Sequence, residues 1–256
     1  MMIDEASAKN MYKALTGSAD ELQAIIPHAS AEVLQAAFRN PALAENNLRA
    51  ILMRRDLDEE MIRRICRLSL TESSHNLKVS LAHHPNTPAA QLLVILPQLH
   101  LFELMNLCAL AEISADQKLA AERTIIQRLP MTPLGNKLTL ARRATAAVLE
   151  ALLKAGDSRL IEICLSNPRM KEGAVFQFVR SGAATAETLS IVARHPRWQS
   201  RPNLREAVLT NPKTPLVWFI LWLPGMKAPE LKRLAASSRL TPAQKKAVEE
   251  RLHKAG

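Results

Sequence analysis

Three copies of Pro-x-Thr-Pro punctuate the chain, at Pro85-Asn-Thr-Pro88, Pro130-Met-Thr-Pro133 and Pro212-Lys-Thr-Pro215. Each is followed by an apolar stretch: AAQLLVIL, LGNKLTLA and LVWFILWL. The copies are offset by 45 and 82 residues, and the longer offset is close to two steps of the shorter. A middle copy falls at Asn167-Pro168, ahead of AVFQFV, and a degenerate first copy at Asn40-Pro41. The resulting ladder, Pro41, Pro85, Pro130, Pro168 and Pro212, has steps of 44, 45, 38 and 44. A period of about 40–47 residues is that of paired helices stacked into an α-solenoid. One helix pair cannot bury its own apolar face, so neighbouring pairs share a continuous core.

Composition agrees with an all-helical reading. The chain has 256 residues, of which 39 are Leu and 38 Ala, while Gly is only 7 and aromatics 4%. Sandwiches and barrels need Gly-rich turns and β-branched or aromatic strands. Neither G-x-G-x-x-G nor G-x-x-x-x-G-K occurs, so a Gly-rich phosphate loop is excluded. Helix starts are written as capping boxes at Ser18–Glu21, Asp56–Glu59 and Ser114–Gln117. They are also written as Thr-Pro at 87–88, 132–133, 214–215 and 241–242, where Thr would cap and Pro would open the first turn. The expected fold is an all-α, right-handed α-solenoid with repeats of about 40–45 residues. Residues 1–256 are read as a single helical-repeat domain. An N-terminal cap spans 1–40, and repeats follow at about 41–84, 85–129, 130–167, 168–211 and 212–256, ending in a capping helix at 242–254.

The segments SLAHHPNTPAAQLLVIL (80–96) and AVLTNPKTPLVWFILWL (207–223) resemble leucine-rich repeat variant units, and IVARHPRWQSRPNLREAV (191–208) carries a weaker version. That resemblance implies a right-handed helical superhelix of the HEAT-like class. The chain departs from the family in repeat spacing and in lacking a cysteine cluster, so the resemblance implies a fold and no activity.

Cys66, Cys108 and Cys164 lie far apart without a C-x-x-C pair, which argues against disulfides or a cysteine-based metal site and for a reducing compartment. The start MMIDEASAKN is acidic and polar, unlike a signal peptide. The longest apolar run, Leu216 to Leu223, falls short of the ~18–20 residues needed to cross a bilayer. A cytoplasmic protein without a membrane span is expected. His83 and His84 sit at a helix end, where they complement the helix dipole; no further ligands at plausible spacing accompany them, so no metal, cofactor or catalytic residue is assigned.

Charge supplies the functional clue. Residues 190–256 hold 13 Lys and Arg against 4 Asp and Glu, which accounts for nine of the ten units of net charge, and all three Trp. Arg194, Arg197, Trp198, Arg201, Arg205 and Lys213 are the candidate partner-binding residues: Arg pairs with carboxylate or phosphate, and Trp stacks or fills a pocket. The same residues can instead be a solvated face, with Trp198 packed under a Pro-bracketed loop. The all-round apolar helix holding Trp218 and Trp222 is expected inside. The function expected is a non-enzymatic scaffold for a protein partner. The alternative is a nucleic-acid-binding HEAT-like protein, conceivably linked to DNA repair, which rests on fold analogy.

Overall fold

A computed structural model describes residues 5–255; the first four residues of the acidic start, and Gly256, lie outside the described residues. The described chain is all-α, with short helices, a few 3-10 turns and no strand. It divides inside α10 into two compact units, Met1–Ile125 and Ile126–Gly256.

The first unit holds α1 (Glu5–Thr16), α2 (Ala19–Ile25), α3 (Ala31–Ala37), α4 (Glu45–Leu52), α5 (Glu59–Cys66), α6 (Ser69–Ser73), α7 (His75–His83), α8 (Ala89–Ile95), α9 (Leu101–Ala109) and, as far as Ile125, α10 (Ala115–Arg128). Helices pack on partners beyond their chain neighbour: α1 on α3 and α2 on α4; further on, α4 packs on α7 and α7 on α9. The second unit holds α11 (Leu134–Arg143), α12 (Ala146–Leu153), α13 (Ser158–Ser166), α14 (Glu172–Arg180), α15 (Ala186–Arg194), α16 (Pro202–Leu209), α17 (Leu216–Trp222), α18 (Ala228–Ala235) and α19 (Pro242–Ala255). Here α11 packs on α13 and α13 on α15, while α12 packs on α14 and α14 on α16. The Leu and Ala excess serves this packing. Leu140, Val148, Leu149 and Leu152 are buried, and so are Ala14, Ala82, Ala141, Ala144 and Ala184, whose single methyl lets helices approach closely.

Five turns between helices, those holding Pro41, Pro85, Pro168, Pro196 and Pro212, share one device. The residue before proline accepts a hydrogen bond from the backbone N–H two residues on, and donates from its other polar atom to an earlier turn. Asn167 Oδ1 accepts from Arg169 N at 2.8 Å, while its Nδ2 donates to Ala141 O and Arg142 O at 2.8 and 3.1 Å. Asn40 reaches Ala14 O and Gly17 O, and Asn211 reaches Val179 O, in the same way. A histidine serves equally well. His84 Nδ1 accepts from Asn86 N, so its Nε2 carries the proton and donates to Arg54 O at 2.9 Å. His195 Nδ1 accepts from Arg197 N, and its Nε2 meets Ser166 Oγ. The carbonyls reached at 141, 142 and 179 lie in the last turn of α11 or α14, where a helix has no partner of its own for them. Proline itself disfavours helical backbone at the preceding residue, and His84, Asn167 and His195 are extended, with ψ of 127°, 128° and 124°.

The bridging bonds among these join residues 23 to 32 apart, a shorter step than the proline ladder of 38 to 45. Pro41, Pro85, Pro168 and Pro212 each follow the Asn or His of this device, which reaches back only to the end of an earlier helix and not to the preceding ladder turn; Pro130 is the exception. Pro168 follows α13, Pro212 follows α16, and Pro130 lies within a 3-10 turn, Leu129–Met131.

Two start signals also resolve differently. In three Pro-x-Thr-Pro copies the N-cap is the second proline, at 88, 133 and 215, not the threonine. Thr87 Oγ1 donates backwards to Leu81 O at 2.6 Å, and Thr214 Oγ1 to Val208 O, closing the preceding helix instead of opening the next. Only Thr241 caps as expected, accepting from Gln244 N, with Pro242 opening α19. The boxes at Ser18–Glu21 and Ser114–Gln117 form. The third does not form: Asp56 is drawn to the Arg54 guanidinium, and α5 starts two residues later with Asp58 accepting from Met61 N.

Candidate interaction surface in the second unit

The six candidate residues fall on α15, α16 and the turns around them, and they do not act alike. Trp198 is 2% exposed; its indole Nε1 donates to Leu165 O at 3.0 Å, in the last turn of α13. It is a core residue, packed inside the unit. Arg197 lies over the Trp198 ring at 4.4 Å, and its guanidinium donates to Asn167 O, Pro168 O and Met170 O. Lys213 Nζ donates to Gly182 O and Ala184 O at 2.9 Å. Both cations sit two residues after the Asn or His of a proline turn, so they extend the same turn-to-turn device. Arg205 bonds Gln199 O through Nε and stands 5.5 Å over the Trp222 ring. Arg201 faces Glu172 at 3.8 Å with half of its side chain exposed. Arg194 ends α15 and is exposed.

Between α14 and α16 runs an open groove of ≈ 810 Å³, with Glu172, Phe176, Arg180, Glu206 and Arg239 in its lining. Arg180 lies 5.3 Å over the Phe176 ring. Glu206 meets Arg233 at 3.7 Å, as Glu172 meets Arg201. Two carboxylates among the cations make this groove mixed in sign, not a positive channel of the kind that tracks a phosphate backbone.

The apolar helix α17 is where sequence reasoning missed the surface. Its inner side is as expected: Phe219 is buried with Leu209, Leu223, Leu231, Leu234 and Val248, and Trp222 packs against that cluster. Trp218 Nε1 donates to Ser190 Oγ at 2.9 Å. The opposite side is open. Val217, Ile220 and Leu221 are 50%, 70% and 60% exposed, and Leu216 is also exposed. Their i, i+3, i+4 spacing places them in one stripe. Sandwiching inside the fold, expected from an all-round apolar pattern, therefore holds for half of α17 only. The same side is open on α8, which follows another Pro-x-Thr-Pro: Leu93 and Val94, at the equivalent positions, are exposed.

Burial raises the thiols of Cys66, Cys108 and Cys164 to about 11, 12 and 12, which leaves them protonated at neutral pH and poor nucleophiles. Burial also lowers the pKa of His83, His84 and His195; in His195 the nearby Arg197 charge acts in the same direction. No described helix is long and apolar enough to cross a membrane. Comparison with protein-family models, curated proteins and solved structures finds no match.

Proposed function

We propose that the helix pairs of each unit are those of a right-handed HEAT-like α-solenoid, and that the protein is a non-enzymatic, cytoplasmic scaffold for a protein partner. Next-but-one helix packing, bridged by turn-to-turn hydrogen bonds, supports the solenoid reading. The exposed stripe Val217, Ile220 and Leu221 carries the functional reading, because it sits in the quarter of the chain with nine units of excess positive charge. A complementary partner is a protein segment with apolar anchors flanked by carboxylates. Apolar anchors in such a patch dominate affinity, while surrounding charges set orientation and encounter rate. The nucleic-acid alternative has the net charge in its favour, but Glu172 and Glu206 lie in the groove, and Trp198 cannot stack on a base.

The test uses partners captured from the native cell and then rebuilt from purified components. Ile220→Asp should abolish binding, Arg194→Glu with Arg201→Glu should weaken it in a salt-dependent way, and Met131→Asp, an exposed apolar site outside the stripe, should leave it intact. Equal binding by Ile220→Asp overturns the reading. So does tight binding of duplex DNA at low salt that falls steeply as salt rises.

A further inference from the structure

Outside this surface, the fold of the first unit gathers two histidines and a glutamate from separate stretches of chain. His75 is the first residue of α7, His100 immediately precedes α9, and Glu103 lies in the first turn of α9. His75 Nε2 is 2.9 Å from both Glu103 carboxylate oxygens, and the two imidazole centroids are 4.6 Å apart. The potential ligand atoms of all three residues lie within 4.8 Å of one another. We propose that His75, His100 and Glu103 form a binding site for a divalent first-row transition ion of the zinc type.

The chemistry of the donor set fixes the class of ion. Two imidazoles and a carboxylate suit zinc, nickel, copper or cobalt, whereas magnesium and calcium favour all-oxygen shells. Bond lengths of about 2.0–2.2 Å to nitrogen and oxygen put tetrahedral ligand atoms roughly 3.3–3.5 Å apart. The His75–Glu103 pair must open slightly to reach that spacing, and the His100 ring must move inward by about an ångström on the same scale. His100 is exposed and rests on His75, so this adjustment is a side-chain rotation in open space.

The carboxylate is already oriented for the task. The backbone N–H of His100 donates to Glu103 Oε2 at 2.7 Å, which leaves lone pairs on both oxygens facing the imidazoles. A hydrogen bond of this kind, from outside the ligand set, fixes a ligating carboxylate in place. With three protein ligands and partial exposure, water completes the shell. The bound ion links the start of α7 to the start of α9, two helices that already pack on each other.

The experiment is calorimetric titration of the tag-free full chain with zinc chloride at pH 7.5, with cobalt(II) absorption as a second readout. One ion per chain should bind, with a tetrahedral or five-coordinate cobalt spectrum, and magnesium in large excess should not compete. His100→Ala, at an exposed position, should keep the helical circular dichroism and weaken zinc binding at least tenfold; Glu103→Gln should do the same. Zinc binding that is absent in the unmodified chain, or unchanged in His100→Ala, overturns the proposal.

Discussion

Replacing Asn167 by alanine tests whether turn-to-turn hydrogen bonds hold the helix pairs together. Asn167 is buried, and its amide donates to Ala141 O and Arg142 O and accepts from Arg169 N. A typical net contribution is about 1 kcal/mol per hydrogen bond, and a dry, unpartnered carbonyl costs about 1–3 kcal/mol. Three bonds therefore predict a loss of about 3 kcal/mol, a large share of the ~5–15 kcal/mol that stabilises an ordinary domain. Urea unfolding followed by tryptophan fluorescence reads the second unit directly, because Trp198, Trp218 and Trp222 all lie there. Asn167→Asp separates hydrogen bonding from packing. Its carboxylate faces the same two carbonyls and can donate only when protonated, so its folded-state pKa is raised above the unfolded value. That contribution is fully present below the unfolded pKa of about 3.9 and is lost as pH rises through the folded value. Asn167→Asp should thus lose stability relative to Asn167→Ala between acid and neutral pH. Arg159→Ala, which breaks an exposed pair with Asp157, is the control and should shift stability by no more than about 0.5 kcal/mol. A cost below about 0.5 kcal/mol for Asn167→Ala, or an Asn167→Asp variant with no added pH dependence, would refute the argument.

Two further outcomes follow from the same contacts. Arg197→Glu should destabilise the second unit by roughly 1–2 kcal/mol, since it removes donors from three turn carbonyls, whereas Arg194→Glu should be near neutral; equal thermal shifts would mean that the Arg197 contacts contribute nothing. Stability should fall as pH drops through about 6.5, the ordinary histidine pKa, because the unfolded chain then takes up protons that His83, His84 and His195 bind only at lower pH in the folded state; His84→Asn, which keeps one donor and one acceptor, should flatten that fall.

Much of the helical character was written in the sequence. Leu and Ala excess, scarce Gly and two of three capping boxes gave all-α without ambiguity. The repeat step was not legible from proline alone. Proline marks any turn that must end a helix, so Pro130, inside a 3-10 turn, looks in sequence like Pro168 and Pro212, which follow the Asn of a bridging turn. The better marker was the pair at i and i+2 around the proline: Asn or His before it, and Asn86, Arg169, Arg197 or Lys213 after it. Only three-dimensional contact shows that these residues look back about one helix pair. The exposed side of α17 was hidden for another reason: an all-round apolar helix has no polar face to announce which side meets solvent. His75 and Glu103 escaped notice because their meeting depends on α7 and α9 packing together, and a separation of 28 residues carries no motif.

The charge asymmetry takes on a different meaning once the cations are followed to their partners. Arg197, Arg205, Lys213 and Arg251 each donate to backbone carbonyls in the second unit, as Arg54 does to Ile26 O and Ala29 O in the first. Helix C-termini present rows of unpaired carbonyls with partial negative charge, so a cation that reaches them satisfies both a hydrogen bond and the helix field. A protein with many short helices has many such ends, and part of its basic excess follows from that architecture rather than from a polyanionic partner. Tethering does not remove these charges from the surface. Arg197 and Lys213 remain exposed while held by two or three bonds each. A carboxylate that meets Arg197 or Lys213 finds a cation whose side-chain entropy was lost on folding, so less is lost again on binding. Under the scaffold proposed above, such rigid charges would select a partner by geometry, whereas a flexible basic surface would bind any polyanion.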